Sequence, residues 1–276
     1  MPLDLLAARE VAETAARQAA EVVMRHYHAE TIQEHVKQNP IDIVTEADRE
    51  AERVIVELLT QHFPDHHLVG EEGGGMGAPA AEAEYFWYID PVDGTTNFAN
   101  RLPYFSTSIA LTDATMQPLV GVVYQPVADE LFSAAKGYGT TLNNRPIRVS
   151  ARERLEQSVL CSGFPYDQAT NPDNNMSEWH RFAVRTRGLR RFGSAALDLC
   201  YVAAGRLEGY WEQRINPWDY LGGLLCVTEA GGTVTDYEGG PAVGGHPLSP
   251  INPRGRIVAS NSRIHQQMLD VLALST

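Results

Sequence analysis

The chain has 276 residues, which is enough for one large domain or two closely packed ones. It carries 35 acidic against 22 basic side chains, so its formal net charge at pH 7 is −13, and no stretch of it is basic. A charge of this sign repels phosphodiester backbones, which argues against nucleic-acid binding by electrostatic attraction. With 43% apolar and 21% charged residues, the composition is that of a folded globular protein rather than a coiled coil, a collagen or a disordered chain.

The N-terminal segment and the cysteines bear on the cellular compartment. Residues 1–28 lack the basic region and the unbroken apolar run of a signal peptide, and no later segment reaches the roughly 18 apolar residues of a membrane span. Cys161, Cys200 and Cys226 are odd in number and far apart, without CxxC spacing, which argues against a disulfide framework or a zinc site. We therefore expect a cytoplasmic protein that does not contact a membrane.

Two amphipathic helices are predicted at the start of the chain. Apolar residues recur every three or four positions from Leu5 to Val22, which is the period of an α-helix. A second stripe follows Thr45 and ends before Pro64, so this helix is expected over about residues 46–62. Short apolar runs between Gly, Pro, Asn and Asp then predict strands of a largely antiparallel sheet, at residues 85–89, 106–111, 119–124 and 131–135.

Strand-like and helical stretches alternate from about residue 157. Strands are expected at residues 158–162, at Val234 and at 257–259, and helices near 177–187, 194–204, 217–230 and after Asn261. The loosest stretches are residues 73–83 and 238–253. Without an internal repeat or a flexible linker, the pattern predicts one mixed α/β (α+β) unit over residues 1–276, with two intimate halves at about 1–150 (α+β) and 151–276 (α/β).

Acidic side chains lie at the ends of four predicted elements. At Asp90-Pro-Val-Asp93-Gly94 a buried strand ends, Asp93 brings a second carboxylate near Asp90, and Gly94 lets the backbone approach an anion. The other groups are Glu71 with Glu72 after a strand, and Asp219 and Asp48 in the first turns of helices. Each also has a simpler interpretation, as a turn, a solvated loop, a helix-dipole partner or a capping box.

Taken together, these acids predict a site for a hard cation. Oxygen ligands without His or Cys partners suit Mg²⁺, Mn²⁺ or Ca²⁺ rather than zinc. Two carboxylates about 5 Å apart repel by roughly 3 kcal/mol at an effective dielectric near 20, so converging acids are costly unless a cation is bound. Because Mg²⁺ favours one or two carboxylates together with waters and a phosphate oxygen, the pattern points to phosphoryl chemistry.

Several separated blocks carry a resemblance to a known family; they are Val44–Asp48, Gly70–Glu72, Trp87–Phe98, Gly193–Glu212 and Trp218–Gly232. In this order they resemble the inositol monophosphatase family of magnesium-dependent, lithium-sensitive sugar phosphatases, over essentially the whole chain. The resemblance implies the layered αβαβα sandwich of inositol monophosphatase and fructose-1,6-bisphosphatase. It also implies a homodimer.

The resemblance further implies roles for individual residues. Those that fall where the family holds its Mg²⁺ ions are Glu71, Asp90, Asp93, Asp219 and the carbonyl of Val92. For catalysis, Thr95 would orient the attacking water, and Asp48 would accept the hydroxyl proton of Thr95. Glu71 is the third implied catalytic residue. The implied substrate contacts are the amides of Gly94, Thr95 and Thr96 to phosphate, Asp93, Ala195 and Glu212 to hydroxyl groups, and Lys37 in a flexible loop near the site.

The function implied is hydrolysis of a small phosphate monoester, myo-inositol 1-phosphate first among the candidates, by water activated at Mg²⁺. Two or three Mg²⁺ ions per site are implied, with Mn²⁺ as a substitute and with Li⁺ and Ca²⁺ as inhibitory ions. The alternative substrates are fructose 1,6-bisphosphate, histidinol phosphate and NADP. A further alternative is a regulatory protein of the same fold that acts through a partner.

The sequence departs from the family pattern at two places. Leu221 and Gly222 stand where the family often has two alanines, and we expect looser packing behind Asp219. The run Gly73–Gly75 replaces the more common Ser after the two glutamates, and we expect a more mobile Glu71 loop. Neither departure removes an implied metal ligand.

Overall fold

The computed structural model describes residues 3–37, 42–246, 249–250, 252 and 255–274. The α-helices in this part of the chain are α1 (Leu5–Tyr27), α2 (Glu46–His62), α3 (Thr95–Ala99), α4 (Met176–Ala183), α5 (Ala195–Ala203), α6 (Pro217–Glu229) and α7 (His265–Leu272). None of these helices is long and apolar enough to cross a lipid bilayer.

The strands form two main sheets and two small hairpins. The larger sheet has the order β10-β9-β8-β7-β6-β5-β3-β4, and it is antiparallel except where β3 lies beside β5. Its strands, after the hairpin β1 (Glu34–Val36) and β2 (Ile43–Thr45), are β3 (His67–Gly70), β4 (Gly74–Gly77), β5 (Tyr85–Asp93), β6 (Ser106–Asp113), β7 (Pro118–Gln125), β8 (Glu130–Ala135), β9 (Thr140–Leu142) and β10 (Arg145–Pro146).

The smaller sheet has the order β12-β11-β13-β17-β14. Strands β12, β11 and β13 run parallel to one another, whereas β17 is antiparallel to both of its neighbours. The remaining strands, including the second hairpin of β15 and β16, are β11 (Val159–Ser162), β12 (Gly188–Arg190), β13 (Gly209–Glu212), β14 (Thr233–Thr235), β15 (Gly245–His246), β16 (Ser249–Pro250) and β17 (Ile257–Ser260).

Alternation along the strands sets the layers. In β5, Phe86 and Tyr88 pack with α5 and α6, while Trp87 and Ile89 face the other way, toward α1 and α2. In β13, Tyr210 faces α5 and α6, and Trp211 packs with Phe182 and other residues of the α4 and α7 side. The order of layers is therefore α1/α2, large sheet, α5/α6, small sheet, α4/α7, which confirms the mixed α/β class and the αβαβα sandwich.

Most of the predicted elements are confirmed, with differences at their ends. The helix expected over 46–62 is α2 (Glu46–His62). The helix predicted near 177–187 is wrong in its last turn, because α4 ends at Ala183 and the Arg187 amide bonds to the Ser158 carbonyl at the edge of the small sheet.

The stretches expected to be loose are partly regular. Gly74 and Gly75 lie in β4, which pairs antiparallel with β3, while greater mobility of the run Gly73–Gly75 stays a prediction. In the second stretch, 245–246 and 249–250 form a hairpin, and residues 247, 248, 251 and 253 lie outside the described residues. The flexible loop implied beside Lys37 continues into 38–41, which also lie outside the described residues.

The contact between β7 and α6 is close because glycines meet there. A Cβ added to Gly121 would lie 2.5 Å from the carbonyl oxygen of Gly222. Leu221 is fully buried beside it. The expectation of loose packing behind Asp219 is therefore wrong, since Gly222 lets the helix backbone rest directly on the sheet.

We predict that Gly121→Ala lowers the free energy of unfolding by about 1–3 kcal/mol, because the new methyl group would overlap a backbone oxygen that cannot move alone. The matched control is Gly222→Ala, whose Cβ would meet its nearest atom, the Ser108 hydroxyl oxygen, at 3.2 Å and which gains helix propensity. Urea denaturation of both variants measures the difference. Equal losses of stability would contradict the prediction.

Candidate active site

A β-bulge in β5 puts two aspartates on one face of the sheet. Asp90 pairs with Ser108 of β6 and Asp93 pairs with Ser106, so three steps along β5 match two along β6. Residues three apart on a regular strand point to opposite faces, and the extra residue of the bulge reverses the second of them. Asp90 and Asp93 consequently share one side of the sheet, where both are buried.

The chain turns sharply after Asp93. Gly94 has a φ of 98° and is the residue that precedes α3. A Cβ at this position would lie 2.9 Å from the Gly193 carbonyl oxygen, so both the backbone angle and the close approach require glycine. This turn brings Thr95 and Thr96 to the start of α3 beside the two aspartates.

The Thr95 hydroxyl lies between two acceptors. It is 3.3 Å from Asp48 Oδ1 and 3.0 Å from the Val92 carbonyl oxygen. Asp48 is buried in the first turn of α2, where its Oδ2 accepts hydrogen bonds from the Thr45 amide at 2.9 Å and the Thr45 hydroxyl at 2.5 Å. The capping box that fixes Asp48 therefore leaves its other oxygen directed at Thr95.

Asp93 also caps the N-terminus of α5, a helix from the second half of the chain. Its carboxylate accepts hydrogen bonds from the Ser194 hydroxyl at 2.6 Å, the Ala196 amide at 2.8 Å and the Ala195 amide at 3.2 Å. These donors form the N-terminus of α5, where the helix dipole favours negative charge. The structure thus places the Ala195 amide against Asp93.

Asp219 and Glu212 approach the same place from the second half. Asp219 Oδ2 accepts a hydrogen bond of 2.6 Å from the Asn216 amide in the capping box of α6. Glu212 ends β13, accepts a hydrogen bond from the Tyr210 hydroxyl, and has its pKa raised to about 7 by burial. A Cβ on Gly163 would lie 2.1 Å from Glu212 Oε1, so a larger residue there would displace the Glu212 carboxylate.

Glu71 follows β3 and is held by a cation of the protein itself. The Lys37 ammonium donates to Glu71 Oε1 at 2.8 Å and also contacts the Glu72 carboxylate. The Glu71 amide donates to the Ile89 carbonyl at 3.1 Å, which fixes the backbone beside β5. Lys37 therefore reduces the negative charge of this corner of the site.

One cavity of about 290 Å³ collects the predicted residues. Ten of them line it: Glu71, Asp90, Val92, Asp93, Gly94, Thr95, Thr96, Ala195, Glu212 and Asp219. The other two, Lys37 and Asp48, touch the cavity residues Glu71 and Thr95. The structure brings all twelve together, while their roles in catalysis and binding stay predictions.

The carboxylates at the floor of the cavity disfavour one another's ionisation. Burial raises the pKa of Asp90 well above its usual value, and the charges of Glu71, Asp93 and Asp219 raise it further. Burial raises the pKa of Asp93 to about 7 against the lowering effect of its hydrogen bonds, and burial raises that of Asp48 to about 7. A bound cation would relieve this accumulated cost.

The donor atoms are carboxylate and carbonyl oxygens, which suit a hard divalent cation. Among the described residues, however, no group of three or more His, Cys, Asp or Glu side chains is already arranged to hold a metal ion. Their oxygens currently serve other partners, since Lys37 binds Glu71 and helix amides bind Asp93 and Asp219. The described hydrogen bonds use one oxygen each of Asp90 and Asp219. Lys37 likewise contacts only Oε1 of Glu71, so Mg²⁺ binding would require small side-chain movements rather than the loss of these partners.

Sequence reasoning missed several residues around the cavity. Ser194 holds Asp93, and Glu52 accepts a hydrogen bond from the Glu72 amide. Tyr166, Arg191 and Arg214 line the cavity as well. Ser194 could have been found as a helix N-cap signal, whereas nothing local marks the other four as part of a site.

We predict that Asp90→Asn stabilises the metal-free protein. The pKa of Asp90 is raised on folding, so its ionised form costs stability at pH 8, and the metal-free wild type gains stability as the pH falls through that raised pKa. The amide keeps the oxygen that accepts from the Val92 amide but carries no charge. In EDTA at pH 8 the variant should therefore unfold at a higher temperature than the wild type.

Addition of Mg²⁺ should reverse that order, because the wild type gains stability from metal binding and the variant gains much less. The control is Asp270→Asn on the exposed side of α7, which should change neither midpoint. A lower midpoint for Asp90→Asn in EDTA would show that the carboxylate is not under electrostatic strain.

Comparison with known proteins identifies the family of the chain. The profile of the inositol monophosphatase family matches residues 4–274. Inositol-1-monophosphatase of Synechocystis sp. is 45% identical over 274 residues, which are 99% of this chain and 91% of that protein. Nus factor SuhB of Pseudomonas aeruginosa is 39% identical over 264 residues, which are 95% of this chain and 94% of that protein.

A solved structure, that of inositol monophosphatase from Anabaena (Nostoc) sp., shares the fold. Its TM-score is 0.85 at 40% sequence identity, and the match covers 98% of this chain and 96% of that one. The similarity thus extends over sequence and fold alike, from the first helix to the last. The chain belongs to the inositol monophosphatase family.

Proposed function

We propose that this protein hydrolyses a small phosphate monoester with the help of Mg²⁺, and that myo-inositol 1-phosphate is its preferred substrate. The observation that carries the proposal is the contact of Thr95 with the buried Asp48 at the edge of a cavity floored by carboxylates. A hydroxyl held by a carboxylate supplies a path for a water proton in a cavity whose described lining contains no histidine. Membership of the family supports the same reaction.

Glu71, Asp90, Asp93, Asp219 and the Val92 carbonyl would hold the metal. When bound, Mg²⁺ polarises the phosphate, lowers the pKa of water and neutralises the leaving alkoxide. The rigid mounting of Asp90 in β5 and of Asp219 in α6 limits the reorganisation that binding needs. Glu71 accepts from the Lys37 ammonium through Oε1, which leaves its Oε2 for the cation.

The chain's own groups then position the substrate and the water. The amides of Gly94, Thr95 and Thr96 would bind phosphate oxygens at the turn into α3. Thr95 would accept a hydrogen bond from the attacking water and pass its own hydroxyl proton toward Asp48. Because Oδ2 of Asp48 is saturated by Thr45, Oδ1 is the oxygen available to receive that proton.

A polyol as the alcohol part is supported by other residues that line the same cavity. Glu212 offers a buried carboxylate to hydroxyl groups, and Asp93 and Ala195 stand beside it. The volume of about 290 Å³ suits a single ring better than a dinucleotide such as NADP. Relatives named inositol-1-monophosphatase, in Synechocystis sp. and Rhizobium meliloti, support the same substrate.

A regulatory function is the second candidate, because several similar proteins are named Nus factor SuhB. A protein that acts only through a partner has no need for a Thr95–Asp48 contact or for clustered buried acids. Loss of function in vivo on Thr95→Ala would favour catalysis, and full function of that variant would favour the regulatory candidate. The homodimer and the cytoplasmic location stay predictions.

We predict that hydrolysis stops in EDTA and returns with Mg²⁺. In a panel of myo-inositol 1-phosphate, fructose 1,6-bisphosphate, histidinol phosphate and NADP, kcat/KM should be highest for the first. Asp219→Asn should lower it by about 100-fold, since the variant loses a charged ligand, whereas Asp270→Asn should not change it. Undiminished turnover in EDTA would refute the metal-dependent reaction.

We predict that Thr95→Ala lowers kcat by about 10² to 10⁴ and leaves KM nearly unchanged, because the hydroxyl acts on the water rather than on substrate binding. Thr95→Ser, which keeps a hydroxyl group, is the matched control and should retain most of the rate. Steady-state kinetics at saturating Mg²⁺ distinguish the two variants. A change in KM alone would reduce Thr95 to a phosphate contact.

A further inference from the structure

Glu52 is a buried acid whose position the proposed reaction does not explain. It lies one helical turn after Asp48 on α2 and is only 5% exposed. Its Oε2 accepts a hydrogen bond of 2.9 Å from the Glu72 amide, and the Gly73 amide lies close enough to its carboxylate to favour the ionised form. A single face of α2 therefore contacts both Thr95, through Asp48, and the turn that carries Glu71.

The residues around Glu71 and Glu72 are shaped by the same carboxylate. A Cβ on Gly70 would lie 2.4 Å from Glu52 Oε2, and one on Gly73 would lie 2.7 Å from Glu52 Oε1. Neither glycine has a positive φ, so backbone conformation does not require them. The Glu52 carboxylate fills the space where a side chain would begin, so a larger residue at either position would displace it.

We propose that Glu52 is a positioning residue that holds the Glu71–Glu72 turn in place for the divalent cation. The inference rests on the proposed function, in which Glu71 binds that cation. Glu52 holds the backbone of the turn from the side of α2, and Lys37 holds its side chains from the other side. With the backbone fixed, the Glu71 side chain can move toward a metal ion while its main chain stays where it is.

A carboxylate suits this task better than any other side chain. Two amide N–H groups converge on it, and only a carboxylate offers an acceptor oxygen to each. A carboxamide in the same place would satisfy one amide and present its own N–H groups to the other. Glu52→Gln therefore changes the turn without changing the volume of the side chain.

The first test compares Glu52→Gln with Glu57→Gln, which removes a charge from the exposed side of the same helix. Titration calorimetry on the metal-free proteins should show Mg²⁺ affinity about 10-fold lower for Glu52→Gln and unchanged for the control. Amide hydrogen exchange at Glu72 and Gly73, measured without metal, should be at least about 10-fold faster in Glu52→Gln alone. The rest of α2 should exchange as in the wild type.

A second pair of variants keeps the test decisive if Glu52→Gln folds poorly. Gly73→Ala should displace the Glu52 carboxylate and lower Mg²⁺ affinity in the same way. Because both changes act through one contact, the double variant Glu52→Ala/Gly73→Ala should lose no more affinity than Glu52→Ala. Additive losses would overturn the proposal.

The remaining outcomes separate this inference from the proposed function. Wild-type Mg²⁺ affinity and wild-type exchange in Glu52→Gln would overturn the positioning role, even if the variant were slower in turnover. If Mg²⁺ affinity and exchange change as expected while the wild type hydrolyses no phosphate ester, the positioning role stands and the phosphatase proposal fails.

Discussion

The site depends on one extra residue in a strand. Without the bulge between Asp90 and Asp93, the second carboxylate would point into the opposite core, against α1 and α2. With it, two acids emerge together at the strand end, and the chain can turn at Gly94 directly into α3. The bulge stays in place because β6 continues its pairing on both sides of it and because the Thr107 hydroxyl donates to the Pro91 carbonyl at 2.9 Å.

Hydrogen bonds from helix N-termini offset part of the repulsion between the acids. Asp48 and Asp219 each accept the amide of the residue that precedes their own helix, and Asp93 accepts amides at the start of α5. Amides at a helix N-terminus need acceptors in any case, so each acid is held by donors that the fold already supplies. Glu71 is the exception, because its partner is the Lys37 ammonium rather than the N-terminus of a helix.

Local signals account for what the sequence could predict. Thr45 and Pro64 bound α2, and the acids stand at element ends that caps and glycines mark. The strand Gly209–Glu212 could not be predicted, because four residues acquire their conformation only by pairing with β11 and β17. The burial of Glu52 could not be predicted either. In the helical pattern of α2 it is an ordinary polar residue, and it becomes buried only because β3 and the turn that follows pack over it. These features depend on tertiary contacts, which no short segment of the sequence reveals.

The hydrogen bonds from α5 to Asp93 have a consequence for how the chain can be divided. A helix of the second half takes its capping carboxylate from the first half, and Asn97 donates to the Phe192 carbonyl at 2.7 Å across the same boundary. If the two parts of the chain were separated, the N-terminus of α5 would lack the carboxylate that caps it, and Asp93 would lack its hydrogen-bond donors. Residues before and after position 150 therefore satisfy one another's hydrogen bonds, and neither part of the chain alone supplies all the partners that this boundary needs.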